Sequence, residues 1–163
     1  MGITFQSPVL LVRDIAASRR FYEGLLEQKV EIDHGLYVEF GAGFALWDVA
    51  QATHVIYGQP AEDKAPLGRR NFELHFETED LADVSAALAE AGVDFVHSVV
   101  EQPWGQRVLR VYDPDQHIVE FAEPMPAVIK RILNEGLTVE ALTERTSMPL
   151  EIVQRIAQAG ENA

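Results

Sequence analysis

The residues best suited to chemistry in this chain fall in two short stretches, FELHFET and VYDPDQHIVEFA. In the first, Glu73, His75 and Glu77 alternate with Phe72, Leu74 and Phe76. Successive side chains of a strand point to opposite faces, so a face with two carboxylates and an imidazole backs an aromatic and aliphatic one. In the second, Ile118, Glu120 and Ala122 share one face and Val119 and Phe121 the other, after an Asp113-Pro114-Asp115-Gln116 turn. If Glu73 and Glu120 approach each other, two carboxylates repel, and one would hold its proton near neutral pH. A metal, a neighbouring cation such as His75 or Arg110, or a shared proton would relieve this. Glu73, His75 and Glu120 form a conceivable ligand set of one histidine and two carboxylates.

The segment Pro103-Trp104-Gly105-Gln106-Arg107 adds further candidates. The Trp104 indole can stack on a flat ligand, and Arg107 or Arg110 can grip a carboxylate through a planar fork. Arg110 and Tyr112 share a face of one strand. Each residue also has an ordinary structural reading, since sheets often turn one face to water and long cations favour surfaces. His34, His54 and His97 read as surface residues, and His117 alternates away from Glu120. No Ser/His/Asp arrangement and no glycine-rich phosphate loop stands out.

These candidates sit in a repeat. SPVLLVRDIAASRRFYEGLLEQKVE and ELHFETEDLADVSAALAEAGVDF each give a short alternating strand, an acidic residue followed by an aliphatic one, and a helix. Asp14 and Asp80 occupy the helix-capping position, where an aspartate oxygen can accept from free N–H groups of the first turn. Ile15, Ser18, Tyr22 and Leu25 recur at helical spacing, as do Leu81, Val84 and Leu88. Three strands are predicted after each helix: 30–33, 37–40 and 44–49, then 95–100, 107–112 and 117–122. Each half therefore reads βαβββ. The expected organisation is a first module over 1–50, a linker rich in Pro, Gly and charge over 51–70, a second module over 71–123, and a helical extension over 124–163. In that extension Gly136 is expected to end one helix, Thr138 to cap a second and Ser147 to cap a third.

Composition narrows the function classes. The chain has 163 residues, 47% of them hydrophobic, enough for a packed core. It has no cysteine, so disulfides, thiolate nucleophiles and cysteine-based zinc sites are excluded. No apolar run is long enough to span a bilayer, and the N-terminus does not read as a secretory signal. A cytoplasmic location is expected. The formal charge of −13 repels phosphate backbones and argues against nucleic acid as the main partner. The tail has the outline of a helix-turn-helix pair, but from Pro124 onward it carries four basic and five acidic residues. Packing on the sheet or a dimer contact suits it better than DNA.

The two βαβββ halves, the FY of SRRFY and the segment PWGQRVLRVYDPDQHIVEF together resemble the glyoxalase/bleomycin resistance/extradiol dioxygenase superfamily, also called vicinal oxygen chelate. The resemblance covers about 3–123. It implies an α+β fold in which two paired βαβββ modules form a cup-shaped open barrel, here with a C-terminal helical extension. In metal-binding members each half supplies two ligands. Carried onto this sequence, those positions are Ser7 and about Trp47, then Glu73 and Glu120. Serine is a poor ligand for a divalent ion and tryptophan cannot bind one. Gln116 replaces the glycine that usually follows the DPD turn. The resemblance therefore implies a small organic ligand held in the barrel without a required metal cofactor. Trp47, Glu73, His75, Trp104, Arg107, Arg110, Tyr112 and Glu120 are the candidate ligand-binding residues, and a homodimer is the expected assembly. The alternative is a divalent-metal-dependent lyase, isomerase or dioxygenase using Glu73, His75 and Glu120. A ligand-sensing regulator reading DNA through its tail is a third possibility. The sequence does not decide whether the protein is an enzyme.

Overall fold

The computed structural model describes residues 2–58 and 67–161. It contains two four-stranded mixed sheets with helices, an α+β architecture. The first sheet has the order β1-β4-β3-β2 and the second β5-β8-β7-β6. In each, the first strand runs parallel to the last: β1 (Val9–Val12) beside β4 (Phe44–Asp48), and β5 (Glu73–Glu77) beside β8 (Ile118–Ala122). The intervening strands are β2 (Val30–Asp33) and β3 (Tyr37–Phe40), then β6 (Phe95–Glu101) and β7 (Arg107–Tyr112). Contacts divide the chain into two compact units, 1–72 with 112–117, and 73–111 with 118–163.

In the first unit Asp14 caps α1 (Ile15–Arg19) by accepting from the Ala17 N–H at 3.0 Å. The helix then widens into a π-helical turn, Arg20–Leu25. That turn buries Phe21 and Tyr22, and the Tyr22 ring packs on Phe40 and Phe44. A helix that sequence reading did not anticipate, α2 (Val49–Tyr57), follows β4. Asp48 caps it through the Gln51 N–H at 2.9 Å, and Gly58 closes it at φ +75°. It occupies part of the stretch read as connecting chain, of which 59–66 lie outside the described residues.

The Asp113–Gln116 turn belongs to this unit. Asp113 is buried, and its carboxylate accepts from the Tyr22 hydroxyl at 2.9 Å and from the backbone N–H groups of Asp115 and His117. Asp115 accepts from the Arg13 N–H at 3.0 Å. Gln116 adopts φ +70°, so the turn keeps a glycine-type conformation without a glycine.

In the second unit α3 (Leu81–Glu90) begins at Asp80, as expected, but the Asp80 side chain makes no capping bond. Thr78 Oγ1 instead accepts the Asp80 N–H at 3.1 Å. Leu74, Leu88, Val108, Leu109, Val119 and Phe121 are buried, and the Phe76 and Phe121 rings stack. The described tail forms three helices: α4 (Met125–Asn134), α5 (Val139–Thr146) and α6 (Leu150–Glu161). Val128, Ile129, Ile132, Leu142 and Val153 bury a core of their own. Gly136 closes α4 at φ +97° and Thr138 caps α5, as the sequence indicates. Ser147 departs from its expected role: it takes a left-handed conformation at φ +55° that ends α5.

Two arginines lash the tail to the β6–β7 turn of the same unit. Arg131 donates to the Gly105 carbonyl at 2.6 Å and to Glu123 at 2.8 Å. Arg145 donates to Glu101 at 2.7 Å and to the Pro103 carbonyl at 3.2 Å. Gly105, at φ +91°, gives α4 room, because a Cβ there would collide with Ile132.

Candidate functional site

The parallel register of β5 and β8 sets His75 directly beside Glu120. His75 Nδ1 lies 2.8 Å from Glu120 Oε1. The second Glu120 oxygen forms an ion pair with Arg110 Nη2, from the neighbouring strand β7. Arg110 Nε reaches Glu73 Oε2 at 2.9 Å. One guanidinium thus bridges the two carboxylates whose mutual repulsion the sequence raised as a problem. Glu120 is the buried member, with its side chain 6% exposed, whereas Glu73 and His75 face solvent.

A fourth group joins from β6. Arg110 Nη1 lies 3.3 Å from His97 Nε2, and His97 Nδ1 lies 2.8 Å from the Ser98 carbonyl. A guanidinium only donates and a carbonyl only accepts. The neutral tautomer with the proton on Nδ1 satisfies both contacts, so His97 accepts from Arg110 and steadies its fork. The same logic applied to Glu120, the acceptor of Arg110, makes His75 Nδ1 a donor, and in the neutral ring Nε2 then carries the lone pair. With both histidines neutral, the formal charges of Glu73, Glu120 and Arg110 leave one net negative charge.

The other candidates lie elsewhere. Arg107 is directed to Glu101 at 3.6 Å and Glu123 at 4.0 Å, and none of the bonds around Glu120 involves it. Trp104 donates from Nε1 to Gln106 Oε1 at 2.9 Å and lines a groove of about 530 Å³ with Pro103, Met125, Arg145 and Met148. Tyr112 is half-buried at the end of β7 and clusters with the first unit. Trp47, in the first unit, packs edge-on against Tyr37 and donates to Gln51 Oε1 at 2.8 Å.

His97 is the member of the cluster that sequence reading assigned to the surface. Its strand is an edge whose pairing with β7 shifts register on both sides of His97, and such bulges break simple alternation. The usable signal was a histidine on a predicted strand facing one that carries an unpaired arginine.

The match to known proteins agrees with this architecture. The family model described as a glyoxalase-like domain matches residues 5–126. The chain belongs to the glyoxalase-like domain family. It therefore sits in the glyoxalase/bleomycin resistance/dioxygenase superfamily, also called vicinal oxygen chelate. Among solved structures, a protein of unknown function from Agrobacterium tumefaciens str. C58 is 36% identical, with a TM-score of 0.69 over 76% of this chain and 96% of that one. A glyoxalase/bleomycin resistance protein/dioxygenase from Nocardioides is 24% identical, with a TM-score of 0.57 over 76% of this chain and 85% of that one. A glyoxalase-related enzyme from Fulvimarina pelagi is 22% identical, with a TM-score of 0.61 over 76% and 90%. The last two show the shared fold. No curated protein matches.

Superfamily membership raises the question of a divalent metal, and the donors of this arrangement do not fit one. Glu73 and Glu120 are bridged by Arg110, and the His75 nitrogen nearest Glu120 bonds to it. Among the described residues no group of three His, Asp or Glu side chains is arranged to hold an ion. A cation placed between the carboxylates would meet the guanidinium, at a cost set by like-charge repulsion. No helix of the described residues is long and apolar enough to cross a membrane.

Proposed function

We propose that this glyoxalase-like protein binds a small organic molecule on the Glu120 face of its second module, without a required metal, in the manner of a bleomycin-resistance-type binder. The observation that carries this reading is the bridge of Arg110 between Glu73 and Glu120. An internal cation holds the place between the carboxylates that a divalent ion would need.

The same bridge indicates which ligands suit the site. Arg110 already spends its fork on two carboxylates, so a ligand carboxylate gains little from it. His75 Nε2 and the half-exposed Glu73 oxygens are acceptors at the surface of the cluster. A neutral or basic molecule that donates N–H or O–H bonds matches them, and the net negative charge of the protein favours its approach. We place the protein in the cytoplasm as a homodimer. Its tail works as a docked extension, since Arg131 and Arg145 are committed to Glu101 and Glu123.

Metal analysis of untagged protein, with a binding screen of basic and neutral amphiphiles before and after chelation, tests the proposal. Substoichiometric metal and binding that survives chelation are expected. Stoichiometric divalent metal whose removal abolishes binding would overturn it. That result would favour the alternative of a metal-dependent lyase, isomerase or dioxygenase using Glu73, His75 and Glu120, in which Arg110 would have to swing away.

A further inference from the structure

The first unit contains a second arrangement with chemical potential, built on the Asp113–Gln116 turn, which clusters apart from the unit that holds Arg110 and Glu73. His117 Nδ1 lies 3.0 Å from Asp113 Oδ2. That oxygen also accepts from the Tyr22 hydroxyl, and Oδ1 accepts the N–H groups of Asp115 and His117 at 2.9 and 2.8 Å. Four acceptor sites of the carboxylate are thereby filled. Burial, with the Asp113 charge beside it, pushes the Tyr22 phenol well above its ordinary pKa. Tyr22 therefore keeps its proton and donates. Asp113 acts as an acceptor, which sets a proton on His117 Nδ1, so that in the neutral ring Nε2 carries the lone pair and no bond of this network uses it.

His117 lines a cavity of about 270 Å³ together with Pro8, Val9, Leu10, Leu11, Leu67 and Phe72. Among the described residues every other one in the lining is apolar, so among them the imidazole is the one polar side chain in the wall. The Leu67 side of the wall is held by the turn itself. The Gly68 N–H donates to the Asp115 carbonyl at 3.0 Å, and a Cβ at residue 68 would collide with the Gln116 backbone. Gly68 thus permits a close approach that no other residue type could make.

We propose that this cavity is a ligand site distinct from the Glu120 cluster, taking a small apolar molecule with a single O–H donor, a phenol-like compound, whose hydroxyl donates to His117 Nε2. An apolar wall with one oriented acceptor selects such a molecule, because burying a hydroxyl without a partner is costly. A carboxylate at the back of a histidine, fixing its tautomer and orientation, is a recurrent way of presenting the opposite nitrogen as an acceptor or base. The volume lies just under the range typical of drug-sized pockets, so a single substituted ring suits it.

The test uses the intact protein and two probes of nearly equal shape, p-cresol and 4-methylanisole, which lacks the O–H. Each is titrated while NMR follows the methyl groups of Leu10, Leu11 and Leu67 and the Cε1–H of His117, His75 and His97. The p-cresol titration is expected to shift these signals saturably, with the ether at least about tenfold weaker, the ratio for one buried hydrogen bond. In His117→Leu, checked for folding by circular dichroism, the preference for p-cresol is expected to vanish. Arg110→Met is expected to leave the titration unchanged, which separates this site from the one under Proposed function. Equal affinity for the two probes, no shift of the three methyl groups, or shifts confined to His75 and His97 would each overturn the proposal.

Discussion

Replacing Arg110 by methionine removes the charge while keeping much of the aliphatic stem. The Glu120 carboxylate, buried to 6% exposure, is then left with His75 as its remaining partner in the cluster. Breaking a buried pair by removing one member typically costs about 3–5 kcal/mol. The Arg110 side chain is 24% exposed, which moderates that figure, and the half-exposed Glu73 pairing adds at most about 1 kcal/mol. The expected loss for Arg110→Met is therefore about 2–3 kcal/mol. Glu120→Gln keeps the shape and one acceptor, and should cost about 1–2 kcal/mol. The double variant removes the stranded charge, so it should be little worse than Glu120→Gln alone. A coupling of about 2 kcal/mol between the two sites follows. Urea unfolding followed by circular dichroism measures it, as a midpoint shift of about 1 M for Arg110→Met. Two single effects that simply add, or an Arg110→Met variant within about 0.5 kcal/mol of the parent, would refute the bridge as the element that neutralises Glu120.

Two further predictions concern the Asp113–Gln116 turn. Gln116 holds φ +70°, which costs a side-chain-bearing residue about 1 kcal/mol, so Gln116→Gly should raise stability by about 0.5 kcal/mol after the added freedom of the unfolded glycine is counted. Calorimetry should find Tm up by about 1–2 °C, and a lower Tm would show that the Gln116 side chain contributes more than its strain costs. Asp115 has its pKa raised by burial, and the Asp113 charge adds to the effect while the Arg13 N–H opposes it. A raised folded-state value means that the favoured form is the protonated one: its contribution is complete below the ordinary value of 3.8 and is lost as pH rises through the folded-state pKa. The parent should therefore gain stability relative to Asp115→Asn on acidification from about pH 7 toward about pH 3. Urea midpoints of the pair across that range check the sign, and a parent that loses ground to the variant on acidification would refute it.

The fold was legible because it is written twice. Alternating strands and helical spacing recur 66 residues apart, from Asp14 to Asp80, and both halves settle into the same strand order. What escaped were features set by local competition. Asp80 stands at a helix start, yet Thr78 performs the hydrogen bonding there. Ser147 looks like a cap for α6, yet the chain needs its left-handed conformation to end α5. The helix α2 runs into the stretch read as a Pro-, Gly- and charge-rich linker, and its Asp48 cap and Gly58 stop are separated by only nine residues. For the Glu120 cluster, alternation put Glu73, His75 and Glu120 on one face. It could not show which face of β7 joined them, because Val108, Leu109 and Val111 are all buried and neither face of that strand reads as polar.

The Arg110 bridge ties these observations together. A sheet with carboxylates on adjacent parallel strands needs a positive charge between them, and the chain can take it from solution or build it in. A metal ion is exchangeable, so a site that depends on one can be emptied. A guanidinium on the next strand is covalently tethered and contacts two carboxylates and an imidazole at once. The two arrangements also differ in what they offer a ligand. A divalent ion presents open coordination positions to the oxygens of a substrate. Arg110, once bound to Glu73, Glu120 and His97, has most of its donors spent, and the groups left facing outward are acceptors. On this argument Glu73 and Glu120, closed by Arg110, leave acceptors facing outward, which is what the proposed recognition of donor ligands requires.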